Sequence, residues 1–440
     1  MAAWRTLGAL LVLWTSVPSG QAQTYSLAET AQVGDCFRLQ LEMKLSGEIK
    51  VSKDGKRVPL KLEATAVHEF PERILSVGSS GLPDKSARIY EKARATILVD
   101  GEKSERLLRP DRKLLVAQRS KDQPLVYSPA GTLTREELEL TSEHFDTLFL
   151  IGLLPGKEVA IGEIWKVSNP VAQAVCNFEG LTEQNLTCKL EEVKDQLARV
   201  SLTGSATGID LGALVKLTIE ATYTYDLSAK RLTRLEWKQK DERDQGPASP
   251  ASSVQSSTLL TRNSIEQPAS LSDVALVPVP EGFELPPTLT QLDYRDAKAR
   301  FQMIYSRDWQ TVSQTDEHLV LRLIERGEFV AQVTITPWTK GEKGQHLTPD
   351  EFRQAMAETP GWEVERENEA GEVPCDGGRW LYRISTLGQL DGSKVVQNFF
   401  LLAGPNGDQV VVAFTMTPKQ AERLGTRDLS LATGIDFPSK

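Results

Sequence analysis

The sequence is poor in the residues with which most enzymes do their chemistry. It holds four histidines in 440 residues (His68, His144, His318 and His346), and no two stand at a spacing that would put two metal ligands on one helix face. His-Glu-x-x-His, the Gly-x-Ser-x-Gly elbow and the Walker loop are absent, which leaves zinc-protease, α/β-hydrolase and P-loop chemistry without their usual groups. The nearest thing to a glycine loop, Cys375-Asp-Gly-Gly378, reads as a turn. Cysteine is also scarce: Cys36, Cys176, Cys188 and Cys375 show neither a Cys-x-x-Cys nor a zinc spacing. No catalytic, cofactor-binding or metal-binding residue is assigned, and no cofactor is expected. Positive charge is in deficit as well. The net charge of -9 gives the chain no overall attraction for nucleic acid or anionic lipid. A local basic patch remains open at Arg106, Arg109, Arg112 and Lys113, against the plainer reading of a solvated loop.

Long apolar runs are missing too, with one short exception. Leu7 to Trp14 is an apolar stretch behind Arg5, too short to span a bilayer, and Gly20-Gln21-Ala22 offers small residues for cleavage. Residues 1–22 read as a secretory signal peptide cut near Ala22, and the rest as a periplasmic or secreted chain without a transmembrane segment. In an oxidising compartment the four cysteines can pair. Cys176 and Cys188 are the candidate disulfide pair, because they fall on two successive strand-like runs; four buried thiols are the alternative.

What the chain does have is β patterning. From 23 to 267 short apolar-polar alternations follow one another, as in Val215 to Thr224. Asp54-Gly55 and Asp100-Gly101 are hairpin signals, because both residue types tolerate positive φ. Val171 to Phe178 and Leu186 to Val193 read as further strands. One helix interrupts them. Thr134-Arg-Glu-Glu137 is a capping box flanked by Leu133 and Leu138 in staple positions, and Leu138, Phe145, Leu148 and Phe149 continue a helical stripe. The expected architecture is a mostly antiparallel curved sheet, or half-barrel, around one helix.

Residues 268–291 carry Pro268, Pro278, Pro280, Pro286 and Pro287 and read as a semi-rigid linker. From 292 to 440 the pattern is α+β. Phe301, Met303 and Tyr305 alternate on one strand, and Trp309 follows as an anchor. Thr348-Pro-Asp-Glu351 and Thr417-Pro-Lys-Gln420 are two more capping boxes, with proline where it costs no hydrogen bond. Asp391-Gly392 and Asn406-Gly407 mark a meander. Trp309, Trp338, Trp362 and Trp380 are read as core or edge covers, or as a groove lining. Glu363, Glu365, Glu367 and Glu369 read as a solvated strand edge, or as a weak divalent-cation site.

Two resemblances follow. Gly152 to Trp165, with its Leu-Pro before a Val-x-x-Gly-x-x-Trp turn, loosely resembles secreted bacterial β-rich domains of unknown function. The shape is similar to periplasmic lipoprotein-carrier half-barrels at the level of fold alone. Phe301-Gln-Met-Ile-Tyr305, Trp309, Gly378-Arg-Trp380, Tyr382 and Gln397 to Phe400 resemble the PsbP/Mog-like fold. That likeness implies an α/β/α sandwich with an antiparallel sheet, and a non-catalytic assembly or binding role. The expected protein is therefore a two-domain, non-enzymatic binding or assembly protein of the cell envelope, with an apolar ligand or envelope protein as partner. The alternative is a hydrolase-like enzyme whose site assembles only in three dimensions, for instance around His68 or the Asp/Glu turns; His68-Glu69 beside Glu72-Arg73 is the densest titratable cluster, with a strand-end charge cluster as its plainer reading.

Overall fold

The computed structural model describes residues 23–53, 56–120, 123–142 and 147–438. The signal-peptide reading, the Asp54-Gly55 turn, His144 and Phe145 lie outside the described residues. The chain is mostly β, with several antiparallel sheets and few helices.

The first half runs β1 (Thr24–Ser26), β2 (Cys36–Lys53), β3 (Lys56–Val77), β4 (Pro83–Ile89), β5 (Lys92–Val99), β6 (Glu102–Leu107), β7 (Leu114–Ser120), β8 (Gln123–Tyr127) and α1 (Arg135–Ser142). After a 3₁₀ stretch at Thr147–Leu153 come β9 (Glu158–Ala160), β10 (Ile164–Lys166), α2 (Asn169–Val175), β11 (Gly180–Gln184) and β12 (Thr187–Lys194). Four long strands follow, β13 (Leu197–Asp210), β14 (Ala213–Asp226), β15 (Arg231–Arg243) and β16 (Ala251–Ser264). A 14-stranded sheet runs β10-β12-β13-β14-β15-β16-β2-β3-β4-β7-β8, with β11 added on β13 and the β5–β6 hairpin on β3. Its path does not close into a barrel among the described residues.

The alternation read from the sequence is the cause of this sheet. In β14 Ala213, Val215, Leu217, Ile219, Ala221, Tyr223 and Tyr225 are buried, while the residues between them face outward. A period of two puts every second side chain on one face. The buried face packs on α1, α2 and the 3₁₀ stretch, and this face is called inner below. The Thr134 box forms as expected: Glu137 N–H donates to Thr134 Oγ1 at 3.2 Å, and Thr134 N–H to Glu137 Oε2 at 2.9 Å. One expected strand is a helix instead. Val171 to Phe178 falls mainly in α2, because Pro170 in its first turn presets a helical φ and needs no donor there.

The second half runs β17 (Gln291–Arg295), β18 (Gln302–Ser306), β19 (Trp309–Gln314), β20 (Leu319–Glu325), β21 (Glu328–Trp338), α3 (Pro349–Ala357), β22 (Trp362–Glu372) and β23 (Trp380–Leu390). It ends with β24 (Ser393–Ala403), β25 (Gln409–Met416), α4 (Pro418–Leu424), α5 (Arg427–Thr433) and β26 (Ile435–Asp436). A seven-stranded antiparallel sheet, β19-β20-β21-β25-β24-β23-β22, has α3 over one face and α4 and α5 over the other. The caps at Thr348 and Thr417 are both complete, and Phe301, Met303, Tyr305 and Trp309 are buried.

Two departures concern the junction. The proline-rich segment is not a free spacer. Leu271 is fully buried and Leu276 nearly so, against Ala87 and Leu114. Lys85 Nζ donates to the Pro280 and Gly282 carbonyls at 2.6 and 2.8 Å. Proline supplies the extended shape, but the leucines between the prolines supply apolar area that the sheet covers. The halves also do not keep separate cores: one buried cluster includes Leu41 and Tyr223 as well as Phe301 and Phe414. Arg135 donates to the Arg307 and Trp309 carbonyls, and Arg307 to the Val126 carbonyl. No helix among the described residues is long and apolar enough to cross a membrane.

Candidate functional site: an apolar recess under the long sheet

Directly opposed residues of neighbouring strands share a face, so the strand register defines rows across the sheet. One inner row is Tyr223, Leu235, Leu260, Leu41, His68 and Ala93. These are packed under the helices, apart from the half-buried Ala93. The next row is Ala221, Trp237, Thr258, Met43, Ala66 and Ala95, and the third is Ile219, Gln239, Ser256, Leu45, Ala64 and Ile97. Between these rows and the ends of α1 and α2 lies a recess of about 260 Å³. Leu140 and Ser142 of α1, and Ala174 and Val175 of α2, form its opposite wall.

Several polar groups of the recess are engaged with one another, and Lys44, Thr65, Ser142, Asn177, Ser256 and Thr258 also reach its lining. Trp237 Nε1 donates to Gln239 Oε1 at 2.8 Å. Arg106 and Glu139 form a 2.5 Å ion pair at the rim, each about a third exposed (29% and 30%). His68 is 1% exposed, and burial pushes its pKa down to about 4. Its Nε2 lies 3.0 Å from the Leu140 carbonyl, which can only accept, so Nε2 carries the proton. At neutral pH His68 is an uncharged wall that ties β3 to α1. The recess therefore offers aliphatic contact and one indole beside a comparable number of hydrogen-bonding side chains.

The cluster His68-Glu69-Glu72-Arg73 does not converge. Glu69 faces outward to Arg38 and Lys92 at 3.2 and 2.7 Å. Glu72 is buried with Arg88 at 2.9 Å and with Ser86 and Thr147, and Arg73 holds the Leu271 carbonyl and Asp273. The Arg106–Lys113 patch is dispersed too. Arg106 goes to Glu139, Arg109 to Glu137 and Asp293, and Arg112 to Asp111 and the Thr132 carbonyl. All four cysteines are thiols. Cys188 lies on β12 as expected, whereas Cys176 caps α2 rather than lying on a strand, and burial pushes both thiols up to about 12. In β22, Glu365 meets Lys394 and Gln389, Glu367 meets Arg353, and Glu369 meets Arg383. No group of three potential ligands among the described residues could hold a metal ion. Trp309 and Trp362 are core; Trp338 and Trp380 are half-buried, and Trp380 stacks on His346 with centroids 3.7 Å apart.

Two other recesses carry more charged side chains. One of about 590 Å³ lies over outward residues such as Lys44, Glu63, Glu220 and Lys238; the other, about 530 Å³, is lined by Arg112, Asp293, Arg295, Asp376, Arg379 and Asp436 at the junction of the halves. Sequence reasoning missed Trp237, Met43, Arg106 and Glu139 as neighbours in one recess. The alternation marks each as inward or outward, but nothing local shows that β15, β2 and β6 meet α1.

No family model matches the chain, and no curated protein does. Among solved structures, the cyanobacterial PsbP of Synechocystis sp. PCC 6803 is similar at 11% identity, over 37% of this chain and 99% of that one, with a TM-score of 0.28. The Saccharomyces cerevisiae Ran-binding protein Mog1p is similar at 11% identity over 33% of this chain and 94% of that one, with a TM-score of 0.25. Lipovitellin is similar at 10% identity over 54% of this chain and 26% of that one, with a TM-score of 0.30. The first two match the expected PsbP/Mog-like fold in part, over about a third of the chain, at scores too low for any argument to rest on them.

Proposed function

We propose that the protein is a secreted or periplasmic, non-enzymatic binding protein that holds an apolar ligand between the inner face of its long sheet and the two helices. One observation carries this reading: the inner rows continue into an open recess whose wall holds Met43, Leu45, Ala66, Ile97, Leu140 and Trp237. The α+β half, with its sheet covered on both faces, serves as a rigid docking body for another envelope protein. At about 260 Å³ the recess lies just below the usual range of ligand pockets, so the ligand is a slender chain rather than a fused-ring body.

Diphenylhexatriene, which fluoresces strongly only when taken out of water, tests the proposal. The protein should bind it saturably. Ala66→Trp, which fills the middle of the recess, should abolish binding while leaving the unfolding transition in place. Saturable binding that survives Ala66→Trp unchanged, or no binding by the parent protein, would overturn it.

A further inference from the structure

The β2–β3 hairpin is paired without a register shift from Cys36–Arg73 out to Lys53–Lys56. Its flanking strands stop sooner: β16 ends opposite Lys50, and β5 ends opposite Leu62. Residues 51–53 of β2 and 56–61 of β3 therefore run beyond the strands that flank them. The two faces of the hairpin differ sharply. Ile49, Val51, Val58 and Leu60 oppose one another on the inner face, half-buried and in line with the wall of the recess. Lys50, Arg57 and Lys61 are exposed on the other face, where Lys61 lies 2.6 Å from Glu63, and Lys56 ends the inner row as a further exposed cation. Between residues 50 and 61 the sequence carries five cations, counting Lys53, against the single carboxylate of Asp54. In a chain of net charge -9 this is a local reversal of sign.

An aliphatic face bounded by lysine and arginine fits the boundary between acyl chains and anionic headgroups. The valine, isoleucine and leucine side chains enter the apolar layer, and the long basic side chains reach back to phosphate. Clusters of four or more basic residues are what anionic lipid surfaces attract. We propose that this hairpin docks the protein on an anionic lipid surface, so that the aliphatic wall runs from the bilayer into the recess. The inference rests on the apolar-ligand reading and adds its partner: the membrane from which a chain-like ligand is taken, or to which it is given.

Flotation of the purified full chain with phosphatidylcholine vesicles, with and without phosphatidylglycerol, tests this. The protein should float only with the anionic vesicles, and added salt should release it. Lys50→Gln, Lys56→Gln and Arg57→Gln together should weaken flotation by roughly a hundred-fold. Val58→Asp should weaken it without changing the salt response. All variants should bind diphenylhexatriene in the absence of vesicles as the parent does, because none of the changed residues lines the recess. Equal flotation with both vesicle types, or an unchanged triple variant, would overturn the docking proposal. So would a dimer in solution that Val58→Asp dissociates, which would give the aliphatic face to a second copy. Failure of the probe to bind any form, by contrast, strikes the ligand reading and is read separately from flotation.

Discussion

Glu137 is where a local cap and a long-range contact meet in one carboxylate, and replacing it by alanine should be costly. Its oxygens accept from Thr134 N–H at 2.9 Å, and from the backbone N, Nε and Nη2 of Arg109 at 3.0, 2.7 and 2.8 Å. The Glu137 side chain is 2% exposed and that of Arg109 is 29%. Removing one partner of a buried pair typically costs about 3–5 kcal/mol, and losing a cap about 1 kcal/mol. Arg109 keeps some solvent and retains Asp293 at 3.1 Å, so the lower end applies. We expect Glu137→Ala to destabilise the protein by about 3 kcal/mol, a loss of roughly 3 °C in Tm for a chain of 440 residues that shares one core. Guanidinium unfolding followed by tryptophan fluorescence measures it, and a cycle with Arg109→Met isolates the pair. The double variant should be less destabilised than the two single losses added together, because the second change removes an already stranded charge. A loss below about 1 kcal/mol, or strict additivity, would place the pair among ordinary surface ion pairs and refute the reasoning.

Other outcomes follow from single contacts. His68 is neutral in the fold, with its pKa pushed down to about 4 from 6.5 by burial. The unfolded chain binds the extra proton between these values, so stability should fall as pH drops from 6.5 to 4, by about 3 kcal/mol at most. His68→Gln should flatten that part of the profile, and an unchanged profile would remove His68 as the cause. Lys85→Met should release the proline-rich strap from the sheet, because Lys85 holds two of its carbonyls from a 5% exposed position. Limited proteolysis should then cut between residues 272 and 287 at least several times faster, and equal rates would show that the buried leucines hold the strap alone. Gly212 has φ +74°, and a side chain there would overlap the Gly327 carbonyl across the junction. Gly212→Ala should cost upward of about 1 kcal/mol from the backbone conformation alone; calorimetry showing no loss would mean that the two turns move apart freely.

Much of the fold was legible because its causes are local. The three capping boxes each need only a threonine and an acceptor three residues on, and all three form. The alternation in Val215 to Thr224 and in Phe301 to Tyr305 named the buried face directly. Val171 to Phe178 was misread because its apolar run suits either element, and Pro170 decided for the helix. The proline-rich strap was misread for a related reason. Composition predicts its extended backbone, but whether Leu271 and Leu276 find a surface depends on a sheet built from residues nearly two hundred positions away.

The sequence by itself determined most of the strands, the caps, the shortage of catalytic groups and the face each alternating side chain takes, since these follow from backbone periodicity and neighbours a few residues apart. Only the tertiary structure decided which faces meet. The sequence places Met43, Ala66, Ile97 and Trp237 on one side of their strands, but the pairing of β15 with β16, β16 with β2, and β3 with β5 makes them one wall. It likewise separated Glu69 from Glu72 onto different partners and left the tip of β2–β3 beyond its neighbours. Register and strand order are set by the summed burial of the whole sheet, and no window of sequence contains that sum.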